Sequence, residues 1–341
     1  MENFFGNPAA AGALDDMIDR RRIPQTLLFS GPEGVGKATL ARRFAARLLG
    51  DPHKIEQDDL SLESNASILA DREKWPADKR NDDPLFFSSH PDFLSFAPDG
   101  PLRQITIQQM RFLKQRAPLK PLKGDWRVFL IDQIERANEQ AANSLLKTLE
   151  EPPPHLILIL TARNAYDLLP TIRSRSVPLH LARLSDAEMR AFIEQKHLDH
   201  PDRRRALAEG SPGLAVSLDL ESYDRRRASM LALLQVAGGL QPFGAWLKHS
   251  DAVAARRTEK LDAYLDTLYM LLEDLLRLSN GVPAIRNDDI RADLQALARR
   301  VSFKRLRAAV ERLDELVEFA RRNIQKSIAL DAFATDLRGL R

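Results

Sequence analysis

At 341 residues the chain is too long for one ordinary core, so two or three domains are expected, and an apolar content of 44% is ample to fill them. The 51 Lys and Arg residues against 48 Asp and Glu leave a formal net charge of +3, too slight to argue for nucleic-acid binding on charge alone. The absence of cysteine rules out disulfides, thiolate zinc sites and a cysteine nucleophile, and fits a reducing, cytoplasmic setting.

The N-terminal stretch MENFFGNPAAAGALDDMIDRRRIPQ mixes acidic and basic residues with short apolar pieces, without the basic start and apolar block of a signal peptide. No window reaches the ~18 uninterrupted apolar residues that a membrane helix needs, so no membrane association is expected. TLLFS (26–30) reads as a short buried strand, and a glycine-rich turn, GPEGVGKATL, follows it. KATLARRFAARLLG reads as a helix with Leu40, Phe44, Ala45 and Leu48 on one side, closed by Gly50.

From Asp51 to Pro84 the chain turns polar and charged without sustained periodicity, which reads as a variable, mobile insertion. Order resumes at HPDFLSFAPDG and at ITIQQMRFLKQRAPLKP, where Ile107, Met110 and Leu113 or Lys114 fall at helical spacing. RVFLID (127–132) has the form of a central parallel strand ending in an aspartate. EQAANSLLKTLEE is a helix stopped by Pro152, Pro153 and Pro154. HLILILTA (155–162) is another buried strand, and LLPTIRSRSVPLHL begins as a helix and leaves through Pro178. This alternation predicts a mostly parallel sheet covered on both faces.

Beyond Leu181 the reading is helical. Ser185 and Glu188 form a Ser-x-x-Glu capping box. Leu261, Leu265, Leu268, Leu272 and Leu275 recur at steps of four and three until Asn280-Gly281 and Pro283, and Leu306, Val310, Leu313 and Leu316 repeat the pattern. These runs are short, which favours the core of a helical bundle over a coiled-coil partner surface.

The turn after the first strand nearly matches the phosphate-binding pattern G-x-x-x-x-G-K-[ST]. Glycines let backbone N–H groups converge on phosphate oxygens, and the lysine bridges the outer phosphates. Gly31, Gly34, Val35, Gly36 and Lys37 supply that half, but Ala38 stands where a hydroxyl should hold Mg²⁺, with Thr39 one place late. An aspartate for the metal is expected at the end of a neighbouring strand, which Asp132 provides, followed in hydrolysing proteins by a glutamate that polarises water. Gln133 stands there instead and cannot act as a base at neutral pH. The candidate ligand is therefore ATP or ADP, with Thr39 and Asp132 as the candidate Mg²⁺ contacts if metal accompanies it. Losing the base costs ~10²- to 10⁴-fold, so self-contained hydrolysis is expected to be weak or absent.

The stretch IDQIERANEQAANSLLKTLEEPPPHLILIL, followed by LLPTIRSRS, closely resembles the clamp-loader branch of the AAA+ ATPases, in its delta-prime type from bacterial DNA polymerase III. AANSLLKTLEEPP (141–153) is its most distinctive part, and Gly210-Ser211-Pro212-Gly213-Leu214-Ala215 resembles the family's lid turn. The resemblance implies an α/β P-loop AAA+ domain with a parallel sheet at 1–182, carrying the insertion at 51–84. A small helical lid at 183–220 and a C-terminal all-α collar domain at 221–341 would follow. It further implies a place in the DNA-directed DNA polymerase assembly, supporting ATP-dependent loading of the sliding clamp onto primed DNA. The implied partners are the tau/gamma and delta subunits, indirectly the sliding clamp, and primer-template DNA.

By the same resemblance, Ser174-Arg175-Ser176 sits where the family carries Ser-Arg-Cys, whose arginine reaches into the neighbouring subunit's ATP site. Arg175 is thus the candidate catalytic residue, acting in trans; the plainer alternative is a solvated helix end bearing Arg173 and Arg175. The chain departs from the family in two further places. The lid turn has Gly213-Leu214 where active members sense nucleotide with an arginine, and no four-cysteine zinc module can be built, with only His53 and His90 nearby. Arg103, Gln104 and the helix from Ile107 to Lys114 are DNA-contact candidates by family position, beside the reading of an ordinary solvated helix. Two rival readings are an active tau/gamma-like ATPase motor and a helical adaptor with a fossil loop.

Overall fold

The structure, a computed structural model, describes Met1 and residues 4–256, 259–320 and 325–339. The chain divides into two compact units, one of Met1–Leu198 with Ala208–Val216, the other of Asp199–Leu207 with the residues from Ser217 onward.

The first unit is built on five parallel strands: β1 (Thr26–Ser30), β2 (Phe93–Phe96), β3 (Arg127–Ile131), β4 (Leu156–Ala162) and β5 (Val177–His180), in the order β2-β3-β4-β1-β5. The strands read from apolar runs, β1, β3 and β4, are buried along their whole length, as strands covered on both faces must be. Successive side chains point to opposite faces: Leu28, Phe129 and Leu158 pack with Met110, Leu113, Leu145 and Leu149, whereas Leu27, Phe29, Ile157 and Ile159 pack with Leu40, Phe44 and Ala45. This confirms the α/β fold with a parallel sheet.

Three expectations are corrected. β4 stands between β1 and β3, so Asp132 does not follow β1's immediate neighbour; the seven-residue apolar run of β4 takes the centre of the sheet. Pro178, expected to end a helix, lies inside β5 opposite Leu28. A proline is tolerated there because β5 is an edge strand, where a missing N–H can face outward. The 51–84 insertion is not structureless: it holds helices Pro52–Glu56, Glu63–Glu73 and Ala77–Asp82. It is anchored both by apolar contact, with Ile55 fully buried in the core beside Leu40 and Phe44, and by charge. Arg72, 4% exposed, donates to the buried Asp99 carboxylate over 3.1 and 2.8 Å and to Asp83 over 3.2 Å, while Leu69 packs on Leu85, Phe87 and Ala97.

The second unit is helical, with Leu220–Ala237, Phe243–Ala255, Leu261–Ser279, Arg291–Ala298, Phe303–Ala320 and Lys326–Gly339. Leu265, Leu268, Leu272, Leu275, Leu306 and Leu313 are buried in one core with Trp246, Tyr264 and Phe333, so the leucine stripes are bundle core. Val310 departs from its stripe and is 37% exposed. Among the described residues no helix is long and apolar enough to cross a membrane.

Candidate functional site

The glycine-rich loop joins β1 to the helix Lys37–Leu49, at the carboxyl ends of the strands. Gly31 has φ +148°, and a Cβ there would fall 2.1 Å from the Leu181 carbonyl oxygen, so only glycine fits this turn. Its N–H points back to the Ala162 and Arg163 carbonyls, each at 3.2 Å. Val35 is fully buried in the core beneath, with Ala38 and Thr39 half-buried in the first turn of the helix.

Lys37 does not reach into solvent. It is 9% exposed and its Nζ donates to the carbonyls of Gly31 and Pro32, both at 2.7 Å. Burial pushes its ammonium pKa down, against the opposing pull of Asp132, Glu135 and Glu33. The loop thus brings a poorly hydrated lysine and a row of glycines to one place, which fits a phosphate.

Asp132 lies 9% exposed just past β3 and accepts a 2.5 Å hydrogen bond from the Thr161 hydroxyl, whose oxygen in turn accepts the Gln133 N–H at 2.9 Å. Gln133 itself sits at φ +55°, a conformation non-glycine residues rarely adopt. Thr161 therefore ties the ends of β3 and β4 together. It is the one hydroxyl in the run HLILILTA, and a polar group inside a buried strand is the signal that marks it. Glu135 is a residue the sequence reasoning passed over: one carboxylate oxygen accepts the Arg163 N–H at 3.1 Å and the other is buried with no partner among the described residues. Arg163 also pairs with Glu33 of the loop.

The backbone cradle suits a nucleotide phosphate; on the metal side Ala38 offers no oxygen, and one of the two Asp132 oxygens accepts from Thr161. Among the described residues no group of three or more His, Cys, Asp or Glu side chains could hold a metal ion. His90 is fully buried, and its Nδ1 accepts the Asp92 N–H at 3.1 Å.

The lid turn meets the loop directly. The Gly213 N–H donates to the Gly34 carbonyl at 2.8 Å, and a Cβ on Gly34, at φ +75°, would come 3.0 Å from both Leu214 N and Leu214 Cγ. Where the resemblance implies a nucleotide-sensing arginine, the chain thus presents backbone and a leucine side chain. On the other flank the Phe4 ring lies against Gly36, under the Arg43 guanidinium.

Arg175 is elsewhere. It follows the short helix Pro170–Arg173 and precedes β5, whose Val177 pairs with Leu27. Val177 thus enters the sheet near the amino end of β1, whereas Gly31 follows the carboxyl end, so the turn carrying Arg175 leads into the end of the strand pair opposite the loop. Gln25, just before β1, donates to the Pro152 and Pro153 carbonyls at 3.2 and 3.0 Å, fixing the end of the helix Glu139–Glu150 in the same region. Arg175 Nη2 is 3.0 Å from Glu150 Oε1, and Nη1 donates to the Thr171 carbonyl and the Ser174 hydroxyl. Of the DNA-contact candidates, Arg103 is paired with Glu73 at 2.7 Å, and Ile107–Arg116 is a helix capped by Thr106 and Gln109.

Residues 80–185 match the family described as "DNA polymerase III, delta subunit", and residues 246–333 match "DNA polymerase III, delta subunit, C terminal". The chain is 31% identical over 220 residues to the DNA polymerase III subunit delta' of Pseudomonas aeruginosa, covering 62% of this chain and 61% of that one. Its similarity is thus to subunits of DNA polymerase III. The delta' subunit of Escherichia coli K12 is 28% identical over 223 residues, covering 64% of this chain and 65% of that one. The gamma/tau subunit of Mycobacterium bovis is 30% identical over 194 residues, covering 55% of this chain. The chain thus spans 61–65% of these delta' relatives and 29% of that gamma/tau relative. Among solved structures, a DNA polymerase III gamma subunit-related protein of Thermotoga maritima aligns over 95% of this chain and 98% of that one, with 21% identity and a TM-score of 0.46.

Proposed function

We propose that this chain is a non-motor subunit of a DNA polymerase III clamp loader that lends Arg175 to the ATP of an adjacent subunit while hydrolysing little or none itself. The observation that carries the reading is that the turn of Arg175 leads into β5 at Val177, opposite Leu27 near the amino end of β1, while the chain's own phosphate loop leaves β1 at the other end. A guanidinium at that end is of no use to its own loop, but on an exposed turn it stands where a neighbour's site can meet it. Supplied in trans, it neutralises charge spreading over the transferring γ-phosphoryl. Ala38 and Gln133 support the other half, since they remove a metal contact and a base at the chain's own site.

On this reading the chain works with tau/gamma-type and delta-type partners in the cytoplasm, where their ATP cycle opens the sliding clamp around primer-template DNA. Residues 1–182 form the P-loop domain, 183–220 the lid and 221–341 the collar. ATP or ADP sits on Gly31, Gly34, Val35, Gly36 and Lys37 without driving turnover. The test is to reconstitute the loader from the source organism's own subunits with Arg175→Ala. ATP turnover and clamp loading should fall sharply; wild-type rates in both would end the proposal.

A second reading, an active motor, draws on Glu135, whose carboxylate acts on Lys37 and has one buried oxygen with no partner among the described residues. If the isolated chain turns over ATP robustly and Lys37→Ala abolishes it, the motor reading holds.

A further inference from the structure

We infer that Glu150 is the positioning residue for the Arg175 finger, an inference that rests on the trans-acting reading above. Glu150 is the last residue of the helix Glu139–Glu150, where the exposed carbonyl ends of the helix make a carboxylate unfavourable. The helix nonetheless ends on this acid, and the acid meets Arg175 at 3.0 Å. The guanidinium is then held on three sides: Nη2 by Glu150 Oε1, and Nη1 by the Thr171 carbonyl at 3.2 Å and the Ser174 hydroxyl at 3.3 Å.

Two of these three holds come from the finger's own turn and move with it. Glu150 alone ties the side chain to a different element, one fixed to the sheet through the Pro152 and Pro153 carbonyls and Gln25. Arg173, two residues earlier, is treated differently: its guanidinium stacks over the Tyr166 ring at 4.9 Å. The carboxylate therefore sets the direction of one arginine of the pair.

The pair is open to exchange. The Arg175 and Glu150 side chains keep 35% and 49% of their surface exposed, so an arriving phosphate meets a guanidinium that is already charged, oriented and only partly desolvated. Holding a long side chain near its working geometry removes an ordering cost from the step in which it meets the γ-phosphate. Glu150 touches no reacting atom in this scheme.

The experiment uses the reconstituted loader with Glu150→Ala, Glu150→Gln, Arg175→Ala and the Glu150→Ala/Arg175→Ala double variant, reading steady-state ATP turnover of the partner subunits. Glu150→Ala should lower kcat by roughly three- to thirtyfold with KM for ATP little changed, a smaller loss than removal of the finger itself. Glu150→Gln, whose amide oxygen still accepts a hydrogen bond, should recover part of that loss. The double variant should match Arg175→Ala. If Arg175→Ala slows turnover while Glu150→Ala runs at or above the wild-type rate, or changes KM alone, the positioning role is overturned and the finger survives. If Arg175→Ala has no effect, the underlying reading fails instead.

Discussion

The Gly213 N–H donates to the Gly34 carbonyl across 2.8 Å, joining the lid turn to the phosphate loop backbone to backbone. A methyl added at Gly213 would lie 3.0 Å from the Gly34 carbonyl oxygen and 3.1 Å from its Cα, so the loop backbone would have to give way. Gly213→Ala should therefore loosen the turn and cost about 1–3 kcal/mol, as overpacking does. Urea unfolding of the first-unit signal checks this; an unchanged midpoint would mean the contact carries no stability.

Restoring Ala38→Thr and Gln133→Glu together should raise the chain's own ATP turnover, the glutamate by as much as ~10²-fold or more where nucleotide is bound. Either change alone should do much less, because the metal and the base act on one step. Phosphate release from the isolated chain is the measurement.

Thr161→Val keeps the shape of a fully buried side chain and removes the hydroxyl shared by Asp132 and the Gln133 N–H. Two polar groups are then left short of a partner, at about 1–3 kcal/mol each for buried groups. The loss should appear in denaturant titrations, and Thr161→Ser should recover most of it.

His90 is fully buried, its Nε2 has no hydrogen-bond partner, and burial pushes its pKa below the ordinary 6.5. Asp92 and Asp51 favour the charged ring, while Lys123 and Lys54 oppose it. In the unfolded chain the ring takes its proton near 6.5, and in the folded chain only at lower pH, so the unfolded state binds more protons in between. Stability is then complete above about pH 6.5 and is lost as the solution is acidified below it. His90→Gln should flatten that part of a stability-versus-pH curve; an identical slope would show that other groups set it.

Much of the first unit was legible because its strands are dense apolar runs bounded by glycine, proline or charge. TLLFS became β1 residue for residue, and the Ser185–Glu188 capping box formed as its spacing predicts. β5 was not legible: four residues with a proline and mostly exposed side chains carry no buried-strand signal. The 51–84 helices escaped for a different reason. One of their anchors, Arg72 on Asp99, joins residues 27 positions apart through charge, which apolar periodicity does not register. In the site, the glycines and Lys37 announce themselves as a local motif. The ties of Thr161 to Asp132 and Glu150 to Arg175 span 29 and 25 positions and exist only once the strands are laid side by side.

Both margins of the sheet are blunted. On β2, Ser95 exchanges two 2.8 Å backbone bonds with Phe87, which runs antiparallel and occupies the outer rim. On β5, Pro178 takes one donor out of a strand only four residues long. Neither rim offers a row of free amides on which another strand could template itself, so these edges resist the pairing that leads to fibres or mispaired copies. Copies of this domain that meet in a crowded cell are therefore steered away from fusing their sheets.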